Sequence, residues 1–309
     1  MADKKKMSYS KVETYEQCGW KYLLQYVEGP YISTPGIALD VGNMIHDAEE
    51  KIANAIKAGN PIDYVSIKNG IILKSLEIEH KFPKEWNEID KSGRYYKEKI
   101  KEYLTKNIYR LENFMKAHPT YEIVGAEIPF NFDRFDYHFN GKIDRVFRNT
   151  ATGEYICQDI KTWPELKDEK ELVTPLQFVV YTIALKETYP DILTEEITCQ
   201  YDLPFCDATQ NAGTKGFVNR GIKKLEKLIT GINNKDFKPH PTPLCYWCTY
   251  CDNNPNQPKD PNARGRCPYF CHYTKERQKD FSVENEWQGL ENHQAILENY
   301  LKNKGKKTV

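Results

Sequence analysis

Three residues near the middle of the chain have the types and spacing that metal-assisted hydrolysis needs: Asp144, Asp159 and Lys161. Side chains alternate between the two faces of a strand, so Asp159 and Lys161, two positions apart, point to the same face. The short connection at 149–153 allows a hairpin between the strands that carry Asp144 and Asp159. The pattern therefore predicts two carboxylates and one ammonium group on one face of a sheet.

Two carboxylates on one face repel each other unless a cation lies between them. Mg²⁺ or Mn²⁺ suits such oxygen ligands, polarises a phosphodiester and lowers the pKa of a bound water. Lys161 would then orient or stabilise the attacking hydroxide. The alternative is that both aspartates are surface residues of an ordinary hairpin, since short acidic patterns are common by chance.

A second candidate metal site lies in the Cys-rich segment 238–275, where five cysteines follow the pattern C-x2-C-x2-C-x15-C-x3-C: Cys245, Cys248, Cys251, Cys267 and Cys271. Such density in a reducing compartment is typical of zinc or iron–sulfur sites. The spacing of Cys248, Cys251, Cys267 and Cys271 suits a local four-thiolate zinc knuckle. Cys157, Cys199 and Cys206 are interpreted as buried thiols.

The elements that must position these residues can be outlined from periodicity and turn signals. Helices are predicted at about 10–26, from Gly42 to about Ala58, within 62–118, and over about 176–188, 221–231 and 276–303. Strands are predicted at 123–132, 136–148, 154–162 and 196–203. Residues 1–7 are expected to be a disordered basic start, and the last eight residues a frayed basic tail.

Composition restricts the class of protein. Lys+Arg and Asp+Glu both number 44, so the formal net charge is zero. A protein that only coats nucleic acid is usually basic overall, which argues against that role. The 21 tyrosines suit either a Tyr-rich core or the stacking of bases.

The lack of an apolar targeting segment in the sequence predicts a cytoplasmic location. No apolar run approaches the ~18–20 residues that span a bilayer, and the start MADKKKMSYS lacks the apolar region of a secretory signal. We expect a cytoplasmic protein, in the host cytoplasm if it is phage-encoded, with no membrane partner. Nine cysteines in a reducing compartment favour metal ligands or buried thiols over disulfides.

Taken in order, several motifs resemble the PD-(D/E)XK nuclease superfamily over residues 8–271, and most of all its RecB-like branch of CRISPR-associated and phage recombination exonucleases. Gly42-Asn43-Met44-Ile45-His46 resembles the glycine-to-histidine motif. Gly141-Lys142-Ile143-Asp144 and Asp159-Ile160-Lys161 resemble the segments with the first Asp and the D/E-x-K. Gln177 and Tyr181 resemble the Gln-x-x-x-Tyr motif, and their spacing places both on one helical face. Glu127 resembles an acidic position that precedes the first Asp in some members.

The resemblance implies roles for these positions. His46, Asp144, Asp159 and the Ile160 carbonyl would hold one or two Mg²⁺ or Mn²⁺ ions. Lys161 would position the nucleophile, and Gln177 and Tyr181 would orient the strand or the lysine. Trp163 and Tyr246 could stack on bases or pack in the core.

The resemblance also offers a second interpretation of the cysteines. In the RecB-like branch one upstream Cys joins three downstream to hold a 4Fe–4S cluster. Here that set would be Cys18, Cys245, Cys248 and Cys267, with Cys251 or Cys271 as the alternative to Cys267. Two additional cysteines and the insert at 252–266 depart from the family pattern, so a Zn²⁺ site stays the alternative.

The fold expected from the resemblance is α/β, a restriction-endonuclease-like core with a central mixed sheet flanked by helices. A helical N-terminal part and a Cys-rich C-terminal lobe would complete it. The expected domains are a nuclease core at 1–237 with a helical insertion at about 59–118, a metal-binding lobe at 238–275 packed on the core, and a C-terminal helix with a basic tail at 276–309.

The function that these expectations favour is that of a metal-dependent DNA nuclease, an exonuclease of recombination, repair or processing. Its partners would be single-stranded DNA or duplex ends, and a protein of a recombination or replication complex. The alternative is a non-catalytic, zinc-stapled nucleic-acid-binding module or a scaffold component with a nuclease-like fold.

Overall fold

The computed structural model describes residues 4–29, 36–90, 92–240, 242, 245, 248–250 and 267. The chain divides into two compact units. The first consists of residues 1–9 and 35–227, and the second of residues 10–34 and 228–309. The described helices are α1 (Tyr9–Gln17), α2 (Gly19–Tyr22, continued by a π-helical turn at Leu23–Val27), α3 (Ile37–Lys57), α4 (Tyr64–Lys81), α5 (Pro83–Trp86), α6 (Tyr96–Thr105), α7 (Arg110–Ala117), α8 (Leu176–Thr188) and α9 (Phe217–Asn233).

The first unit is built on a mixed sheet, to which six strands belong within the described ranges: β1 (Lys5–Met7), β2 (Tyr121–Arg134), β3 (Tyr137–Asn149), β4 (Tyr155–Ile160), β5 (Ile197–Leu203) and β6 (Ala208–Ala212). β2, β3 and β4 form an antiparallel meander, β5 runs parallel to β4, and β6 returns antiparallel to β5. β1 lies parallel to β3 at its first residues. The expectation of a central mixed sheet flanked by helices is therefore confirmed.

Helix α3 covers one face of the sheet with a regular apolar stripe. Ile45, Ala48 and Ile52 are fully buried, and Ile56 packs against the same cluster. Phe147 of β3 belongs to this core as well. The spacing of the stripe, three to four residues, keeps it on one side of the helix and seats α3 on the sheet.

A buried ionic cluster lies within this interface. The guanidinium of Arg145 donates to Glu49 at 3.0 Å, to Gln158 at 2.9 Å and to Asp202. The hydroxyl of Tyr103 donates to Glu49 at 2.8 Å. Because each of these charges is removed from water, the cluster ties α3, α6 and three strands together in one geometry.

The second unit contains α1, α2 and the segment that follows α9. The ring of Phe237 stacks on Tyr22, with centroids 5.9 Å apart, and Tyr15 donates to the carbonyl of Asp236 at 2.7 Å. A Cβ on Gly19 would lie 2.8 Å from the Lys238 carbonyl oxygen, so α2 can approach this segment only because glycine stands there.

The predicted elements correspond closely to the structure, and the differences have simple causes. The first helix is interrupted at Cys18, and α3 begins at Ile37 rather than at Gly42. The expectation of disorder over 1–7 is wrong for Lys5–Met7, which form β1. The backbone of β1 pairs with that of β3, and the pattern of side chains along the sequence gives no sign of this pairing. β6, also unpredicted, is a polar strand at the edge of the sheet.

The expected domain boundaries stay a prediction, and residues 268–309, with the predicted C-terminal helix, lie outside the described part of the chain. Among the described residues no helix has both the length and the apolar character that crossing a membrane requires.

Candidate active site

The predicted pairing of Asp144 with Asp159 is confirmed by the register of the hairpin. Arg145 of β3 stands opposite Gln158 of the antiparallel β4, so Asp144, just before Arg145, and Asp159, just after Gln158, are neighbours across the two strands. The side chain of Asp159 is completely buried and that of Asp144 is 11% exposed. Asp144 also accepts a hydrogen bond from the backbone N–H of Ile160 at 2.7 Å, which fixes its carboxylate against β4.

His46 reaches the same place from the middle of α3. Its Nε2 lies 2.8 Å from the carbonyl oxygen of Ile160, and its Nδ1 lies 3.6 Å from Oδ2 of Asp144. The imidazole therefore joins the helix to the end of β4. Of the four predicted ligands of the catalytic metal, His46 thus lies beside two others, Asp144 and the Ile160 carbonyl.

Glu127 completes the group from β2. Its backbone has φ +48°, in the left-handed region that is unusual for a residue with a side chain. The pairing of β2 with β3 shifts between Ile123 and Gly125, just before it. Oε1 of Glu127 lies 3.8 Å from Nδ1 of His46. This local irregularity brings the carboxylate to the site, as strained backbone often does where function depends on it.

Ligand atoms of His46, Glu127 and Asp144 all lie within 4.8 Å of one another. With the Ile160 carbonyl they provide two carboxylates, one imidazole and one neutral oxygen, a donor set that fits Mn²⁺ and Mg²⁺. Asp159 is not part of this group of three.

Burial and the closeness of the acidic side chains shift the pKa values of this site. Burial, and then the charge of Asp159, raise the pKa of Asp144 to about 6. Burial also raises the pKa of Asp159, against the opposing effect of Lys161. Burial lowers the pKa of His46, but Glu127, Asp144 and Asp159 outweigh it and the net shift is upward. A divalent cation would relieve this repulsion, because it stabilises the ionised carboxylates.

Lys161, Gln177 and Tyr181 surround Asp159. Nζ of Lys161 lies 2.7 Å from Oδ2 of Asp159. From α8, the amide of Gln177 donates to Oδ1 of Asp159 at 2.7 Å and to the Tyr181 hydroxyl at 2.9 Å. The Tyr181 hydroxyl itself lies 3.4 Å from Oδ1. The i, i+4 spacing therefore presents both side chains to the same carboxylate.

Oδ2 of Asp159 is buried without a well-aligned hydrogen bond, although Lys161 lies beside it. An ion pair of this kind leaves capacity on the oxygen for a second cation or a hydrogen-bonded water. Asp159 and Lys161 can therefore hold a polar molecule beside the acidic and histidine side chains of β2, β3 and α3.

The four described cysteines of the second unit meet at a separate cavity of about 50 Å³. Cys18, Cys245, Cys248 and Cys267 all line it, together with the apolar side chains of Trp20 and Leu24. Cys251 and Cys271, the other candidate ligands, lie outside the described residues.

Two of these sulfur atoms accept hydrogen bonds from backbone amides. The N–H of His240 donates to Sγ of Cys18 at 3.3 Å, and the N–H of Thr242 donates to Sγ of Cys245 at 3.4 Å. Burial, opposed by the Thr242 N–H and reinforced by Cys248 and Cys18, raises the pKa of Cys245 to about 11. Thiolate ligation by a metal would reverse that shift, and N–H donors of this kind stabilise metal-bound sulfur.

Of the three cysteines predicted to be buried thiols, Cys157 and Cys199 are buried, whereas the prediction is wrong for Cys206, which is only half-buried. Cys157 and Cys199 stand opposite each other on β4 and β5 and are almost completely buried. Sγ of Cys206 lies 3.5 Å from the carbonyl oxygen of Trp163. Burial raises the pKa of Cys199 to about 12, which makes this thiol unreactive.

The fold and the grouped acidic, histidine and lysine side chains resemble the core of a nuclease. A profile of the PD-(D/E)XK nuclease superfamily matches residues 6–254, and the chain belongs to that superfamily.

Relatives with curated names support the same class. The chain aligns at 25% identity over 217 positions with a component of the ATP-dependent helicase/deoxyribonuclease of several Clostridium perfringens strains, and the alignment covers 62% of this chain. The chain spans 18% of the length of those proteins. Among solved structures, a protein of Eubacterium rectale described as a candidate exonuclease matches with a TM-score of 0.47 and 14% identity, over 80% of this chain and 88% of that one.

Proposed function

We propose that this protein is a Mg²⁺- or Mn²⁺-dependent deoxyribonuclease that hydrolyses phosphodiester bonds from DNA ends. The observation that carries the proposal is the convergence of His46, Glu127 and Asp144 within 4.8 Å beside the Ile160 carbonyl. Membership of a nuclease superfamily supports it, and the RecB-like relatives make DNA the substrate to test first.

Each side chain has a role that its contacts support. His46, Glu127, Asp144 and the Ile160 carbonyl would hold the cation, with Asp159 as a further ligand. When bound, that cation would polarise the scissile phosphodiester and lower the pKa of a bound water. Lys161, paired with Asp159 at 2.7 Å, would hold and stabilise the attacking oxygen. Gln177 and Tyr181 would fix the orientation of the Asp159 carboxylate.

We propose that Cys18, Cys245, Cys248 and Cys267 hold a 4Fe–4S cluster with a structural role. The supporting observation is that Cys18, distant in sequence, lines the same cavity as the three downstream cysteines. A local zinc knuckle would not need Cys18. The segment around Cys245 has little apolar content of its own, so metal ligation would stabilise its folded form.

The biological setting belongs to the same proposal. A cytoplasmic enzyme of DNA recombination, repair or processing fits this site, and a helicase is the partner class that the name of the curated relatives suggests. A catalytically inactive scaffold is the second candidate, and it predicts DNA binding without cleavage.

The decisive experiment compares the wild type with Asp159→Asn on end-labelled linear DNA in Mn²⁺. We expect the substitution to reduce the cleavage rate by about 1,000-fold, because it removes a charge that acts on the reacting atoms. Asp191→Asn, an exposed position of the same unit, is the matched control and should keep the wild-type rate.

The outcomes separate the candidates. Equal inactivity of the wild type and Asp159→Asn, with DNA binding retained in both, would establish the scaffold instead. Cleavage of covalently closed circular DNA at the same rate as linear DNA would show an endonuclease.

A further inference from the structure

The cavity that contains the metal-ligand group is much larger than a metal site needs. Its volume is about 850 Å³, whereas a hydrated ion with six waters takes roughly 200 Å³ at about 30 Å³ per water. It extends from His46, Glu127 and Asp144 along the N-terminal half of α3 to Asp90, Tyr96 and Lys99. The remaining space is of the size that binds organic ligands.

Two aromatic side chains line this cavity. Trp163 follows Lys161 by two positions, at the end of β4, and Tyr96 begins α6. Both are half-buried. Aromatic rings that line a cavity next to a phosphodiester-cleaving group are suited to stacking on nucleobases.

Both rings are held in place by neighbouring groups. The ring of Trp163 packs on Tyr201, with centroids 4.8 Å apart, and Nζ of Lys167 lies 5.1 Å from it. Nζ of Lys99 lies 4.1 Å from the centroid of Tyr96. Rings whose positions are fixed beforehand lose little conformational entropy when they contact a ligand.

The ammonium group of Lys99, which lies over the ring of Tyr96, is itself held in place. Lys99 is 1% exposed and forms an ion pair with Asp90. Oδ1 of Asp90 accepts from the backbone N–H and the hydroxyl of Ser92, at 2.9 and 2.6 Å. This end of the cavity is therefore a preformed wall.

The charges of the wall decide which part of a nucleotide can face it. The cavity is lined by the carboxylates of Asp47, Glu50 and Asp90, of which Asp47 pairs with Lys51 and Asp90 with Lys99. Both lysines that line the cavity, Lys99 and Lys161, are paired with aspartates. A wall whose lining lysines are all paired with carboxylates offers a phosphate no free cation, whereas its carboxylate oxygens can accept hydrogen bonds from the amino groups of bases. Phosphates are then expected at the metal-ligand group, and bases against α3 and α6.

We infer that this cavity binds the unpaired bases next to the scissile phosphodiester, with Tyr96 and Trp163 as the stacking residues. The inference rests on the proposed nuclease function and specifies its substrate. A base inside a duplex has both faces covered by its neighbours and its pairing edge occupied, so only an unwound or single-stranded end presents what the cavity can contact.

The test combines ring deletion with base deletion. Trp163→Ala and Tyr96→Ala should each lower kcat/KM on single-stranded DNA by roughly 5- to 150-fold, the equivalent of one stacked base. Trp163→Phe and Tyr96→Phe keep a ring and should retain most of the activity. Tyr189→Ala removes a half-buried ring of the same unit that does not line the cavity, and it should match the wild type.

The second arm uses DNA in which the nucleotides at the cleavage site are abasic. The wild type should lose activity on it to a similar extent, and the two Ala variants should show little further loss. If the Ala variants keep the wild-type kcat/KM, or if they lose it yet stay as sensitive to base removal as the wild type, the base-binding role is overturned.

A binding measurement separates this inference from the proposed function. Fluorescence anisotropy of a labelled oligonucleotide with the Asp159→Asn protein needs no cleavage. Weaker binding in the Trp163→Ala/Asp159→Asn double variant, equal to the weakening caused by abasic DNA, supports base contact even if no DNA is cut. Failure of cleavage in every variant and the wild type would refute the nuclease proposal, and unchanged binding would refute only the stacking.

Discussion

Nε2 of His46 lies 2.8 Å from the carbonyl oxygen of Ile160, although the two residues are 114 positions apart. One lies in the middle of a helix and the other at the last position of a buried strand. Both atoms can ligate a metal, and their contact joins the helix-borne and strand-borne halves of the site. A cation bound here would therefore stabilise the packing of α3 on the sheet as well as serve the chemistry.

Asp144→Asn should make the metal-free protein more stable while removing its response to metal. The substitution deletes a buried charge that Asp159 repels, and the amide oxygen can still accept from the Ile160 N–H. A shift of the Asp144 pKa to about 6 corresponds to roughly 1 to 3 kcal/mol. Thermal unfolding with chelator, and then with Mn²⁺, measures both effects.

The same substitution has a defined pH dependence. Because the pKa of Asp144 is raised in the folded protein, the folded state binds more protons than the unfolded state between about pH 4 and 6. Wild-type stability should therefore fall as the pH rises through that window. The advantage of Asp144→Asn should be absent near pH 4 and complete above pH 6; an advantage independent of pH would contradict the electrostatic explanation.

Glu127→Gln should weaken metal binding without changing the fold. The contact of Glu127 with His46, at 3.8 Å, is consistent with ligation of a shared cation. We expect the Mn²⁺ concentration for half-maximal stabilisation to rise about 10- to 100-fold, as for loss of a residue that supports a metal. Glu122→Gln, an exposed position on the same strand, is the control; an equal effect of both variants would refute ligation.

Gln177→Ala and Tyr181→Phe should lower kcat rather than substrate affinity. Gln177 donates to Oδ1 of Asp159 at 2.7 Å, so its loss leaves that oxygen with the longer contact to Tyr181 and loosens the orientation of the carboxylate. The expected decrease is about 10- to 100-fold. Tyr189→Phe, on the residue that follows α8, serves as the control. A rise in KM for DNA with kcat unchanged would show that these residues bind the strand instead.

Replacing Cys18 by serine should remove the metal bound by the second unit. Anaerobically purified wild type should absorb broadly near ~400 nm, the signature of iron–sulfur, and the variant should not. Cys206→Ser, in the other unit, should keep the absorbance. A colourless wild type that contains zinc, and keeps it in Cys18→Ser, would establish the local zinc knuckle.

Arg145→Leu should destabilise the protein strongly. Arg145 is 3% exposed and bridges Glu49 and Asp202, so its removal leaves the buried Glu49 without a cation and Asp202 with Arg110 alone. The expected loss is about 3 to 5 kcal/mol of unfolding free energy. Arg148→Leu, with its side chain 48% exposed, should change the value by less than about 0.5 kcal/mol. Chemical denaturation of both variants is the measurement.

The sequence alone determined the parts of this protein that follow from local periodicity. Helix α8 begins and ends at the predicted residues, and the hairpin of β3 and β4 has the predicted connection. Alternation along these strands is sufficient to place Asp144, Asp159 and Lys161 together, because the side-chain period of a strand is two. These features are set by interactions between residues that are close together in the sequence.

Only the tertiary structure decided what depends on long-range pairing. A family resemblance singled out Glu127, but its place beside His46 depends on a shift in register and a positive φ, neither of which has a pattern in the sequence. The cavity wall formed by Tyr96 and Lys99 depends on how α6 packs. The polar strands β1 and β6 form because a neighbouring strand offers backbone N–H and C=O groups to pair with. Such contacts arise from burial and backbone hydrogen bonding between distant segments, and periodicity does not encode them.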